Sequence, residues 1–266
     1  MKKIIIAFVT SLLFLNFLNA QEAQRTRKER KAAKWSEEQV FRIKSFGVSL
    51  QNQQNTVMSP LIYSGIGLAF FSEKQRFLNN TLKISNRRLQ YNMLSAENSP
   101  NNTHSAAAQF GFDFLKQLKK QKFYIGGNVQ MNSNIRFYSH LGNNAFQYEV
   151  FPTIGFSSTY KTDFQVFGKK LTLDASVKLP IVGALMATPK YTTSFDELKI
   201  KVVPLGKMVN PQTAIFLNFP AQKRFPNRQF RMGYEWNMNS FGRGNDRRMT
   251  MATHTLHFIA TIEKIK

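Results

Sequence analysis

From about residue 41 onward, apolar and polar positions alternate with a period of two, the signature of strands with one apolar and one polar face. Between Arg228 and Asn239, one face carries Phe230, Met232, Tyr234, Trp236 and Met238. The other carries Gln229, Arg231, Gly233, Glu235, Asn237 and Asn239. The stretch from Phe123 to Phe137 repeats the pattern, with Phe123, Ile125, Val129, Met131, Ile135 and Phe137 opposed to Tyr124, Asn128, Gln130 and Asn132. The same division runs through Ser105 to Phe114 and Lys169 to Ile181. Small residues recur on the polar face (Gly65, Gly67, Gly111, Gly126, Gly155, Gly233), as a narrow interior filled by side chains requires.

These runs are long. Strands of soluble domains usually cover about 5–6 residues, whereas a strand crossing a membrane needs about 9–11. Ten strands are predicted, near 42–50, 60–73, 77–92, 105–118, 123–137, 145–160, 169–181, 213–224, 228–238 and 252–264. Short joins fall at Lys74-Gln75-Arg76, Lys119 to Lys122, Asp163 to Gly168 and Phe225-Pro226-Asn227. Longer ones fall at Asn92 to His104, Val182 to Gln212 and Asn239 to Met251. Short turns alternating with long loops describe an antiparallel transmembrane β-barrel, with both chain ends on the short-turn side. The expected fold is therefore all-β. A strand-like piece at Leu198 to Leu205 leaves twelve strands open, and loss of the weak first strand leaves eight.

The first forty residues do not share this pattern. Lys2 and Lys3 precede an almost unbroken apolar run from Ile4 to Leu18, then Asn19-Ala20 and a polar stretch. That order predicts a secretory signal over 1–20, cleaved after Ala20. Residues 21–40, with Arg25, Arg27, Lys28, Arg30, Lys31 and Lys34, are expected as a basic periplasmic tail, leaving 41–266 for the barrel. The absence of Cys excludes a disulfide framework, a cysteine nucleophile, Cys-ligated metal and a lipid-modified N-terminal cysteine. The whole chain has a formal charge of +22; without Lys2 and Lys3, 35 basic residues face 15 acidic ones, or +20. Export argues against nucleic acid as the counter-charge, so phosphate-bearing lipid is the expected partner.

Over about Phe41 to Lys266 the chain resembles small Gram-negative outer-membrane β-barrel proteins, a resemblance of pattern without a diagnostic motif. Such proteins commonly end on an aromatic residue, and this one ends Ile262-Glu263-Lys264-Ile265-Lys266. The resemblance implies a bacterial outer-membrane location, with lipids, lipopolysaccharide and another outer-membrane protein as partners. A soluble barrel with the apolar face inward would show the same alternation. The small residues on the polar face and the large aromatics on the other favour the membrane arrangement.

Asp113, Glu149, Asp174 and Glu235 fall on the polar face with Lys178, Arg231, Lys83 and Arg87, and are expected to form ion pairs across the lumen. His104, His140 and His254 fall at the outer ends of strands, the only candidates for acid–base chemistry at the mouth. A lipid-A deacylase-like barrel would place Ser two residues after its catalytic His, and here Leu256 follows His254. His254 and His257, three apart in a strand, point to opposite faces and do not make a metal pair. No metal or other cofactor is expected. Arg243, Arg247 and Arg248 make a compact basic loop suited to lipid phosphates. The function expected is non-enzymatic: a structural or accessory barrel of an uptake or secretion complex, acting through its long outer loops. An enzyme acting on lipid or peptide at the outer mouth, and a narrow porin-like pore, are the alternatives.

Overall fold

Runs that alternate over so many residues close on themselves in the computed structural model, which describes residues 38–55, 59–118, 122–139, 146–187, 199–204, 208–220, 228–242 and 248–265. Contacts divide the chain into Met1–Gln39 and Val40–Lys266, and the barrel is built from the second unit. The strands are β1 Gln39–Asn55, β2 Ser59–Leu78, β3 Thr81–Ala96, β4 Asn102–Gln117, β5 Phe123–Tyr138, β6 Phe146–Val166, β7 Lys169–Ala187, β8 Lys199–Pro204, β9 Met208–Val209, β10 Gln212–Asn218, β11 Arg228–Gly242 and β12 Arg248–Lys264. No helix occurs among the described residues.

Each strand pairs antiparallel with its neighbours, and β12 returns to β1 with Phe41 opposite Lys264. Both described ends of the barrel chain therefore lie at the end that carries the short turns. The ring has ten positions. The eighth is composite: the lower half of β7 pairs with β10 from Thr172 to Lys178, and its upper half pairs with β8 from Val182 to Ala187. β11 likewise continues from β10 onto β9. The piece read at Leu198 to Leu205 thus extends an existing position upward and adds no new one.

The direction of the side chains decides what surrounds the barrel. Ile66, Phe156 and Met93 are 62%, 61% and 61% exposed on the outside, while Asn92, Ser105 and Thr255 are fully buried inside. A soluble ligand-binding barrel would reverse this. The protein is a transmembrane barrel, with its backbone groups satisfied by closure and its apolar belt turned to lipid.

Several boundaries differ from those predicted. Lys74-Gln75-Arg76 is not a turn, because β2 continues to Leu78 and reverses at Asn79-Asn80, where Asn79 occupies the left-handed region (φ 50°). The join near Asp163 to Gly168 narrows to Phe167-Gly168, both at positive φ (49° and 73°), the pattern of a tight type I′ hairpin. At the other end the strands run into the predicted long loops. The β3–β4 loop is only 97–101, and β11 and β12 pair as far as Gly242 and Arg248. With β1 to β7 running 16–21 residues, the wall continues well past the apolar belt. β1 likewise runs eight residues beyond the predicted Arg42–Leu50 span, through Gln51 to Asn55 and back to Gln39.

Irregular pairings change which residues face inward. The β6–β7 register skips Ile181, so Pro180 and then Gly183 and Leu185 turn inward on either side of it. A second shift in β12 lies between His257 and Ile259, and it turns Ile262 inward below it. Tight strand contact explains one of the inward glycines. A Cβ on Gly67 would run into the backbone carbonyl of Tyr91 and the Asn92 side chain.

Candidate functional site

The interior is the place where this chain concentrates its chemistry. Among the described residues, five cations (Arg88, Arg136, Lys161, Lys178, Arg231) and five carboxylates (Glu73, Asp113, Glu149, Asp174, Glu235) enter ion pairs inside the lumen. The lumen is therefore charge-balanced in a chain that is strongly basic. Arg136 of β5 is fully buried and holds Glu149 of β6 at 2.9 Å, while its Nε donates to Gln53 of β1 at 2.9 Å. Arg88 of β3 reaches across to Glu235 of β11 at 2.7 Å and donates to Thr255. Lys178 of β7 reaches Asp113 of β4 at 2.7 Å. Asp174 accepts from Asn218 at 3.0 Å and lies 3.5 Å from both Lys161 and Arg231. Arg231 also stacks on the Phe216 ring, 3.7 Å from its centroid.

Amides fill the space between these pairs. Gln109 of β4 and Gln130 of β5 both donate to Gln212 of β10. Gln51 of β1 donates to Ser105 and accepts from Asn92. Apolar groups close the two ends. Leu82, Ile84 and Leu115 pack with Phe77 and Tyr124 at the turn end. Phe151, Leu185, Met249 and Met251, and separately Tyr63, Leu94, Ala96 and Tyr138, pack toward the loop end. A space in the ionic layer, bounded by Lys161, Asp174, Lys178, Arg231 and Glu235, is about 50 Å³, enough for a few water molecules.

The structure brings Asp113 together with Lys178 and Asp174 with Arg231, whereas Glu149 and Glu235 take partners the sequence reading did not single out, Arg136 and Arg88. Lys83 and Arg87, expected inside, are exposed on the outer face. The cause is the apolar closure at the turn end: Leu82 and Ile84 face inward there, which reverses the usual link between apolar residues and the lipid side. Arg136 is in phase with Asn128, Gln130, Asn132 and Asn134, so the alternation itself marks it as inward.

Two of the three candidate histidines lie apart on the outer surface. His104 of β4 meets the Tyr91 hydroxyl at 2.7 Å, and His254 of β12 meets the Tyr234 hydroxyl at 2.6 Å. His140, Arg243 and Arg247 lie outside the described residues; Arg248 opens β12 opposite Gly242. The histidine with the richest surroundings is His257. Its Nδ1 is 2.9 Å from Ser45 Oγ, and its Nε2 is 3.4 Å from Glu235 without hydrogen-bond alignment. Serine, histidine and glutamate in this order resemble a nucleophilic triad, but Ser45 and His257 are sealed in the wall and Glu235 is engaged by Arg88. The group ties β1, β12, β11 and β3 together.

A family model described as "Protein of unknown function (DUF3316)" matches residues 7–257. The chain belongs to this family. No curated protein matches the sequence. Among solved structures, the translocator domain of the autotransporter NalP from Neisseria meningitidis is similar at 11% identity, over 92% of this chain and 96% of that one, with a TM-score of 0.40. Neisserial surface protein A is similar at 10% identity, over 85% and 97%, with a TM-score of 0.33. The COG4313 outer membrane channel from Pseudomonas putida F1 is similar at 8% identity, over 86% and 95%, with a TM-score of 0.34. At such identities and scores the function of this DUF3316 protein has to be argued from its own residues.

Proposed function

We propose that this DUF3316 protein is a non-enzymatic outer-membrane barrel, a closed-lumen scaffold that holds an extended rim above the membrane as a structural or accessory part of a larger complex. The observation that carries the reading is the filled lumen, where charged and amide side chains span from wall to wall between two apolar closures. A solute pathway would need these buried pairs to part, and opening one exposes an uncompensated charge at high cost. A hydrolytic reading finds little support in His104 and His254, which sit apart with tyrosines as partners. The strands rising past the apolar belt offer the rim as the contact surface. The loop that holds Arg243 and Arg247, with Arg248 at its edge, would add lipopolysaccharide phosphates to that contact. The predicted signal over 1–20 would provide export.

The chain has no cysteine of its own, so single cysteines report topology cleanly. Glu97→Cys, in the β3–β4 loop, should react with a membrane-impermeant maleimide in intact cells. Gln165→Cys, on the β6–β7 hairpin, should react only after the outer membrane is permeabilised. Equal labelling in intact cells, or recovery of the protein from a soluble fraction, would overturn the reading. The enzymatic alternative predicts a changed lipid A or protease profile when His104, His140 and His254 are all replaced by Ala. The scaffold predicts none.

A further inference from the structure

The outer surface of β2 to β5 carries a groove of about 430 Å³ in the lipid-facing belt. Ala106 and Ala108 of β4 form its floor, and Leu68, Phe70, Leu89 and Ile135 rise around it. Ala106 and Ala108, with Ser133 of β5 opposite Ala108, produce the depression, because the surrounding outward positions project leucine, isoleucine and aromatic side chains.

Directly below the groove, toward the turn end, the surface changes character. Arg87 follows Leu89 on the same face of β3, two residues along. Lys83 lies directly opposite Arg76 across the β2–β3 ladder, and Lys74 sits diagonally between Lys83 and Arg87. All four point outward with Ser72 and Ser85 among them, and no carboxylate occurs among the described outward residues of β2, β3 and β4. Like charges placed directly opposite each other in a sheet repel. Lys83 and Arg87 are paired with Phe114 and Phe110 of β4, both 40% exposed or more, so these cations lie beside lipid-facing aromatics. An apolar trough that ends in a staggered row of cations matches a molecule with an acyl chain at one end and a phosphate at the other. Arginine forks and ammonium groups both favour phosphate oxygens.

We propose that this surface is a binding site for an anionic glycerophospholipid, whose acyl chain lies over Ala106 and Ala108 and whose phosphate bridges Arg87, Lys83 and Arg76. Bridging by one anion turns the Arg76–Lys83 repulsion into attraction. Assignment of the site to the periplasmic leaflet rests on the orientation proposed above; the site itself does not.

The test uses the full chain in vesicles with the same lipids in both leaflets, so it is independent of orientation. Trp35→Phe leaves Trp236, on the far side of the barrel, as a control reporter. Trp35→Phe/Trp236→Phe/Leu89→Trp places the reporter at the groove. Quenching by brominated phosphatidylglycerol, in competition with unbrominated phosphatidylcholine, should show phosphatidylglycerol enriched on the order of tenfold at position 89 and about equal occupancy at Trp236. Arg76→Gln/Lys83→Gln/Arg87→Gln should abolish the enrichment while the barrel still shifts on an unboiled gel. Excess inorganic phosphate should not abolish it, because the acyl chain contributes. Equal quenching at both reporters, or enrichment that survives the triple substitution, would overturn the proposal. Enrichment abolished by inorganic phosphate would show a bare anion site and overturn it as well.

Discussion

Arg87 and Arg88 are consecutive in β3 and live in opposite environments. Arg88 points inward, is 5% exposed, and is matched by Glu235 at 2.7 Å and by Thr255. Arg87 points outward between Ser85 and Leu89, and no carboxylate among the described outward residues of β2, β3 and β4 shares its face. The division recurs among the described residues of the barrel. Inside, five cations meet five carboxylates among the described residues; outside, the turn end of β1 to β4 carries Arg42, Lys44, Lys74, Arg76, Lys83, Arg87 and Lys116, while Glu263 of β12 lies opposite Arg42 and Asp163 of β6 pairs with Lys122 and Lys170. The described ion-paired residues of the lumen cancel, so they contribute nothing to the net positive charge of the chain. Interior charges are matched across the lumen, whereas most exterior cations of β2 to β4 have no carboxylate beside them.

The strongest way to break this division is to leave an interior charge without its partner. Glu149→Ala strands the fully buried Arg136 and should cost about 3–5 kcal/mol. The loss should appear as a lower urea midpoint for the heat-modifiable band in lipid vesicles. Arg136→Met/Glu149→Leu should recover most of that loss, since replacing both partners removes the unpaired charge. Arg88→Ala should behave like Glu149→Ala, while its neighbour Arg87→Ala stays within about 0.5 kcal/mol of wild type. Equal effects at 87 and 88 would contradict the inside–outside assignment. Gly67→Val tests the wall rather than its charges. Crowding against Tyr91 and Asn92 should lower stability by about 1–3 kcal/mol, by the same measurement. A small effect is also expected higher on the outer surface, where Tyr234→Phe removes one hydrogen bond to His254 and should cost about 1 kcal/mol or less.

Much of this arrangement was legible in the sequence, and the misses fall where the alternation fades, inverts or slips. Within the apolar belt the period-two pattern has an unambiguous phase, which is why the faces of β4, β5 and β11 read correctly. Beyond the belt the pattern loses its apolar half. Gln51 to Asn55 in β1 is polar on both faces, and the upper ends of β3 and β11 resemble loops by composition. At the turn end the apolar closure inverts the pattern, so Leu82 and Ile84 read as lipid-facing and Lys83 and Arg87 as interior. Lys74 and Arg76 resembled a turn for the same reason, although Asn79-Asn80 carried the turn chemistry. The skipped residues in β7 and β12 cannot be read from alternation, because each shifts the register without changing composition. Pairing partners were the least legible of all. Glu235 could have met any inward cation, and only closure of the ring sets Arg88 across the lumen from it.

The claim on which the rest depends is that the lumen is closed by its own side chains. Purified full-length protein inserted into planar bilayers and held under voltage in concentrated potassium chloride tests this most directly. The account predicts incorporation, verified by the band shift on boiling, without stable unitary current steps. A steady, reproducible conductance from the wild-type barrel would mean that the ion pairs and amides leave a continuous water path, and the closed-scaffold account would be wrong.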